Sequence, residues 1–159
     1  MKKVLFFLFA TMFIGACTQD KGPKWAPLDL MPYGVPLTIE APDSAKVKTT
    51  DLGLIKDITV KEGEDYYIQL YASSASTNDV AKIKTDQLSE VKNNRFFSKI
   101  VKEEADGFIY ETAIDSANIN YGFRYIYLQG DMEYIFQTGL IGTFTQEETE
   151  MMYEAVQQK

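Results

Sequence analysis

The chain has 159 residues, of which 45% are hydrophobic and 13% aromatic, and its formal net charge is −7. This apolar content is enough for one packed domain and excludes a chain that is disordered by composition. The negative charge argues against nucleic acid as a partner, because binding to phosphates needs a basic surface. The sequence has no histidine, which removes the commonest general base and metal ligand.

The first seventeen residues have the layout of a secretory signal. Lys2 and Lys3 are followed by an apolar run, Val4 to Ile14, and then by small residues that lead to Cys17, the single cysteine. The run has about 11 residues, well short of the roughly 20 that span a bilayer, so an uncleaved anchor is disfavoured. The sequence therefore predicts a cleaved signal peptide over residues 1–16.

The stretch Ile14-Gly15-Ala16-Cys17 resembles the lipobox of bacterial lipoproteins, in which an aliphatic and two small residues precede an acylated cysteine. The resemblance implies that Cys17 becomes the mature N-terminus and that its acyl chains bind the lipid bilayer. More than one chain makes such anchoring stable, at about 0.8 kcal/mol for each buried methylene. Thr18 stands where Asp retains many lipoproteins at the inner membrane, so the resemblance implies a bacterial cell envelope location and favours the outer membrane. The alternative is an ordinary secretory signal that leaves Cys17 as a free thiol.

Cleavage before Cys17 leaves 143 residues with 14 basic and 23 acidic side chains, a formal net charge of −9. This charge disfavours attraction to anionic lipid, so the acyl group itself must supply the membrane attachment. An acidic surface suits a basic protein partner or divalent cations, or it serves solubility alone. Acylation of Cys17 also rules out a disulfide within the monomer, so stability must come from core packing.

Residues 17–36 are predicted to form the acylated N-terminus and a proline-rich tether. Four of the five prolines lie here, and proline favours an extended, semi-rigid chain. The stretch is nevertheless too apolar for a fully solvated linker, so we expect the part from Trp25 onward to dock against the domain. Trp25 is then either a packing residue or a binding anchor.

From Val35 to Ala72, apolar and polar residues alternate, which predicts four strands separated by turns. The period then becomes helical, with an apparent capping box at Ser76 to Asp79 and an apolar stripe behind it. These signals predict the first helix over about residues 77–93.

The second strand block contains two predicted hairpins, 97–114 and 121–138, and the segment 139–144 is expected to extend the sheet. Thr145 starts a second capping box, which predicts a helix over about residues 145–158. Residues 37–159 are thus expected to form a single α+β domain. It has two helices and an antiparallel sheet of about seven to eight strands, in strands-helix-strands-helix order. This order, over residues 37–158, resembles that of the PsbP/Mog1-like group, in which helices flank an antiparallel sheet.

No catalytic motif is found in the sequence: it contains no phosphate-binding loop, no GxSxG and no EF-hand. With histidine absent and Cys17 acylated, we predict no catalytic residue, no metal site and no cofactor. The acidic stretch Glu103 to Gly107 is better explained as a hairpin turn than as a calcium site. Catalysis by a pair of carboxylates stays open.

Arg124 is a candidate for binding, because a guanidinium amid aromatic residues in a strand needs a partner or an aromatic face. Tyr125 and Tyr127 follow it, and the sequence suggests that these and other tyrosines share one sheet face. That face is a binding platform if it is exposed, and part of the core if helices cover it. Arg124 can equally be an ordinary surface arginine.

Three functions remain in order of preference. The first is a membrane-anchored, non-catalytic lipoprotein that binds a protein or another envelope component. The second is a module that binds a small ligand or glycan through the aromatic sheet face and Arg124. The third is a hydrolase that works with carboxylates alone.

Overall fold

The structure is a computed structural model that describes residues 25–158, which form nine strands, two α-helices and one 3-10 helix. The strands are β1 Ala26–Asp29, β2 Thr38–Ala41, β3 Lys46–Asp51, β4 Ile55–Glu62, β5 Tyr66–Ser74, β6 Phe97–Glu103, β7 Gly107–Ala113, β8 Ile119–Gln129 and β9 Met132–Thr138. The helices are the 3-10 helix Met31–Tyr33, α1 Val80–Lys92 and α2 Gln146–Val156. The predicted signal peptide and Cys17, the predicted acylation site, lie outside the described residues.

Seven strands form one antiparallel sheet in the order β3-β4-β5-β9-β8-β7-β6, while β1 and β2 form a separate two-stranded sheet. Most pairings are hairpins between strands that follow each other in the chain. The exception is β5 with β9, which joins the two strand blocks in the middle of the sheet. The α+β class and the strands-helix-strands-helix order predicted from the sequence are confirmed.

Helix α2 covers one face of the sheet and closes the main core. Alternation along the central strands places apolar side chains on this face, and Met152 and Tyr153 of α2 are fully buried against them. The helix begins at the predicted capping box: Glu148 N donates to Thr145 Oγ1, and Thr145 N donates to the Glu148 carboxylate at 2.7 Å. These bonds fix the start of α2 and so the position of its buried side chains.

Helix α1 packs on the opposite face, against β8, and buries Ile83 and Val91. Its N-cap is Asp79, whose carboxylate accepts a hydrogen bond from Lys82 N at 3.1 Å. The helix therefore begins later than a capping box at Ser76 predicts. The reason is local, since the Thr77 hydroxyl accepts from Asp79 N and holds this residue outside the helix.

Residues 25–36, which the sequence assigns to the tether, pack against the domain. β1 pairs with β2, and Leu30 and Val35 are almost completely buried. The Trp25 ring meets the Tyr66 ring edge-on, with 4.9 Å between the centroids. The folded part of the chain thus extends back at least to Trp25.

The segment 139–144 forms a loop and not the expected extension of the sheet. It is held by single hydrogen bonds: Gly139 N donates to the Tyr67 carbonyl, Tyr121 N to the Phe144 carbonyl, and Phe144 N to Asn120 Oδ1. Phe144 is buried, while Leu140 and Ile141 are 71% and 81% exposed. Within residues 25–158, no helix has the length and hydrophobicity needed to cross a membrane.

Candidate functional site

Three of the four residues predicted to bind have mainly packing roles. Tyr125 is 2% exposed, and its hydroxyl accepts a hydrogen bond from Gln158 N at 3.1 Å. Burial raises the pKa of this hydroxyl. Tyr127 is half-buried, with its ring tilted by 33° against that of Tyr134. Trp25 packs on Tyr66 at the edge of a surface cavity.

The tyrosines divide between the two faces of the sheet and do not form one platform. Tyr127 lies opposite Tyr134 and shares the face that α2 covers. Tyr71 lies opposite Ile135 and so projects from the other face, together with Tyr67. Alternation within one strand reveals which residues share a face, but the register between strands decides which faces meet.

Arg124 lies on the face of the sheet where α1 packs, and it is half-buried. Its Nε donates to Gln87 Oε1 at 3.2 Å, and its Nη1 donates to the Tyr110 hydroxyl at 3.3 Å and to the Phe123 carbonyl at 3.2 Å. The guanidinium carbon also lies 5.9 Å from the centroid of the Tyr110 ring. These contacts fix the plane and direction of the side chain.

All of these partners are neutral. Among the described residues, no carboxylate lies within 4.0 Å of the Arg124 guanidinium, and its Nη2 donates to none of them. An arginine has five N–H donors, so the two on Nη2 remain for a ligand or for water. The site is a positioned positive charge that has no ion-pair partner within 4.0 Å among the described residues.

Arg124 lines a polar cleft of about 250 Å³ between the end of α1, strands β7 to β9 and the loop that follows β9. The polar side chains around it are Asn94, Tyr110, Thr112, Asn120, Tyr121, Gln137 and Thr138. Arg124 is the one lysine, arginine, aspartate or glutamate in this lining. The cleft therefore has a local positive charge in a chain whose net charge is negative.

Two glycines in the cleft lining, Gly122 and Gly139, have no side chain, and aromatic rings occupy the space beside them. A Cβ on Gly122 would lie 2.7 Å from the Tyr110 hydroxyl, the same group that accepts from Arg124. A Cβ on Gly139 would overlap the Tyr67 ring. Small residues at these positions are thus needed for the observed placement of Tyr110 and Tyr67.

A second cavity of about 290 Å³ adjoins the cleft and shares Asn94, Thr112 and Asn120 with it. Its other lining residues include Phe96, Ile114 and Ile119. Ile114 is 70% exposed and Ile119 38%, and Leu140, which is in the cleft lining, is 71% exposed. The charged cleft therefore has an apolar rim on one side.

A row of amides extends from the cleft across the sheet. Gln137, the cross-strand neighbour of Arg124, donates to Gln69 Oε1 at 3.2 Å. Gln69 in turn donates to both carboxylate oxygens of Asp57, at 3.0 and 3.1 Å. Both glutamines are only 4% exposed, so the row is a buried, hydrogen-bonded support for this side of the cleft.

The carboxylates of the described residues are mostly engaged in structure. Hydrogen bonds from Ser98 and Lys99 lower the pKa of Glu111, and those from Lys102 and Tyr153 help to lower that of Glu104. Burial raises the pKa of Glu133, with no neighbouring charge as a cause. Over residues 25–158 no group of three or more carboxylate, histidine or cysteine side chains is placed to hold a metal ion.

The sequence pattern indicates Arg124 as a candidate binding residue but does not indicate most of the residues that surround it in the cleft. Asn94 follows α1, Tyr110 is on β7, Asn120 on β8 and Gln137 on β9. Each is an ordinary residue in its own segment, and only the strand order brings them together. Their spacing in the sequence contains no signal that could have revealed the cleft.

Comparison with known proteins gives no further guide: no protein-family model, no curated protein and no solved structure matches this chain significantly. The similarity to the PsbP/Mog1-like group in element order stays a prediction. Function must be argued from the residues and from the geometry of the cleft.

Proposed function

We propose that this protein is a bacterial lipoprotein, anchored in the cell envelope through an acylated Cys17, whose domain binds a partner without catalysis. The outer membrane is its favoured location. The anchoring half of the proposal is supported by the signal-like first sixteen residues and by Ile14-Gly15-Ala16-Cys17. A cysteine at that point in an exported chain is best explained by its acylation.

The proposed binding role is supported mainly by one observation: Arg124 lines an open cleft and has no carboxylate partner within 4.0 Å among the described residues. Placing a half-buried guanidinium among neutral partners has a desolvation cost that an anionic group from outside would offset. The partner is therefore a protein or another envelope component that presents such a group. The same cleft supports the small-ligand alternative, with Arg124 and not the tyrosine face as its centre.

The hydrolase alternative draws least support from the described residues. Glu104 and Glu111 have lowered pKa values, so both are ionised at neutral pH and cannot serve as general acids. Glu133 has a raised pKa, but no second carboxylate contributes to the shift. A pair of carboxylates with separated pKa values is what such an enzyme needs.

An in-cell crosslinking experiment with the acylated full chain tests this proposal. Three forms are compared: wild type, Cys17→Ala as a mislocalised control, and Arg124→Gln as a cleft variant. The proposal expects one dominant crosslinked partner that is lost in Cys17→Ala and weakened in Arg124→Gln. A crosslinking pattern that is identical in all three forms would contradict both the anchor and the cleft.

A further inference from the structure

We infer that the Arg124 cleft is a binding site for a monocarboxylate that has an apolar body. This inference deepens the proposed function, since it rests on the binding role and names the chemistry that the site recognises. The carboxylate is placed on the free Nη2 of Arg124, and the apolar body lies along Leu140, Ile114 and Ile119.

The anionic end follows from the donors that remain free. Nε and Nη1 of Arg124 are held by Gln87, Tyr110 and Phe123, which leaves the Nη2 end as the one available for a ligand. Asn94 adds an amide at the same cleft, and its Oδ1 accepts from Phe96 N at 2.9 Å, so its Nδ2 is the free donor. Charge-assisted bonds to carboxylate oxygens are the strong use of such donors.

The single charge of the cleft favours a monoanion. A phosphate group carries about −1.5 to −2 charge at pH 7, so one guanidinium would leave part of it unpaired. A carboxylate carries one negative charge, which Arg124 alone balances. Divalent cations are disfavoured, because no carboxylate belongs to the lining.

The apolar body follows from exposed apolar side chains in the cleft and in the cavity beside it. Leu140 belongs to the cleft lining, and Ile114 and Ile119 to that of the adjoining cavity, and all three are exposed. The two cavities share three residues and so lie side by side on the surface. Each cavity is below or near the lower end of the range for drug-sized ligands, about 300–1,000 Å³, so the ligand is small or enters by its end.

Two sources present this chemistry: an aliphatic acid, and the C-terminal carboxylate of a peptide that ends in an apolar residue. Hexanoate represents the aliphatic acid, and N-acetyl-leucine represents the peptide C-terminus. Hexanamide and N-acetyl-leucinamide are the corresponding uncharged control compounds. Each compound is titrated into the full chain labelled at its isoleucine and leucine methyl groups, and NMR shifts are followed. Lys82→Gln, which removes one exposed positive charge at the far end of α1, is the control for Arg124→Gln.

We expect at least one acid to cause saturable shifts of the Leu140, Ile114 and Ile119 methyl signals. Its amide should bind about tenfold more weakly or worse, because the charged hydrogen bond is lost. Arg124→Gln should weaken acid binding to a similar extent, and Lys82→Gln should leave it unchanged. The acid that binds more tightly then identifies the source.

Equal binding of acid and amide in both arms would overturn the inference, as would saturable shifts confined to methyl groups outside the cleft and the adjoining cavity. The comparison of acid with amide uses the wild-type chain, so it decides the matter even if Arg124→Gln fails to fold. The crosslinking test is independent of these compounds. If crosslinking identifies a specific partner but neither acid binds in the NMR titration, the monocarboxylate inference is wrong and the proposed function still holds.

Discussion

Replacing Tyr153 by phenylalanine tests how α2 is held on the sheet. Tyr153 is fully buried, and its ring stands edge-on to those of Phe123 and Tyr125 at centroid distances of 5.8 and 6.1 Å. Its hydroxyl donates to Glu104 Oε2 at 2.9 Å. The substitution keeps the ring contacts and removes only this hydrogen bond.

The expected loss in free energy of unfolding follows from that one bond. A hydrogen bond to a charged group is worth about 1.5–3 kcal/mol. The lower value of this range applies, because Glu104 still has its ion pair with Lys102 at 2.8 Å and its hydrogen bond from Gln157 at 3.1 Å in the variant. The Glu104 side chain is also 35% exposed, so water can replace part of the lost bond. We expect Tyr153→Phe to lower the free energy of unfolding by about 1.5 kcal/mol, and Tyr153→Ala, which also opens a cavity, by about 3–5 kcal/mol.

Urea unfolding followed by circular dichroism measures both changes. Tyr127→Phe is the matched control, since that ring is only half-buried, and its effect should stay within about 0.5 kcal/mol. A Tyr153→Phe loss as large as that of Tyr153→Ala would contradict this prediction, because the ring contacts would then add nothing to the effect of the hydrogen bond. No loss at all would show that the bond to Glu104 does not stabilise the fold.

Three further predictions concern the ends of the domain and its response to acid. Thr145→Ala removes the α2 cap and should lower the free energy of unfolding by about 1 kcal/mol in urea, whereas Thr145→Ser should restore most of it. Trp25→Ala removes the half-buried ring that packs against Tyr66 and should lower this free energy by about 2 kcal/mol, roughly half the value for a fully buried ring. No loss would mean that residues 25–36 are not part of the folded unit. The Glu104 pKa lies below its ordinary value of 4.5, so its stabilisation is fully present above that pH and is lost as the pH falls through the folded-state pKa. Stability measured against pH should thus fall less steeply below pH 4.5 in Glu104→Gln, and equal slopes would contradict the assignment.

The fold was predictable where a local signal matches a local structure. Thr145 and Glu148 form a capping box in the sequence and in the structure alike, because the motif is complete within four residues. At α1, two candidate caps lie close together, and the Thr77 hydroxyl interaction with Asp79 N decides between them. Hydrophobic periodicity does not show which of two neighbouring polar residues will cap a helix.

The pairing of strands that lie far apart in the chain was not predictable in the same way. The alternation that places Tyr125 and Tyr127 on one face of β8 is correct, but it says nothing of β5, whose Tyr67 and Tyr71 project from the other face. The β5–β9 pairing spans the whole of α1 and the second strand block. The lining of the Arg124 cleft depends on this long-range pairing, so the sequence revealed its charge and not its shape.

Acylation of Cys17 is the most direct test of the account. The full chain and its Cys17→Ala variant are produced in a bacterium that is fed an alkyne analogue of palmitate, and membranes are then separated from soluble material. If Cys17 is acylated, the wild-type chain is labelled and sediments with the outer membrane, while Cys17→Ala is unlabelled and leaves the membrane fraction. An unlabelled wild-type chain, or a Cys17→Ala variant that stays in the membrane, would contradict the lipid anchor.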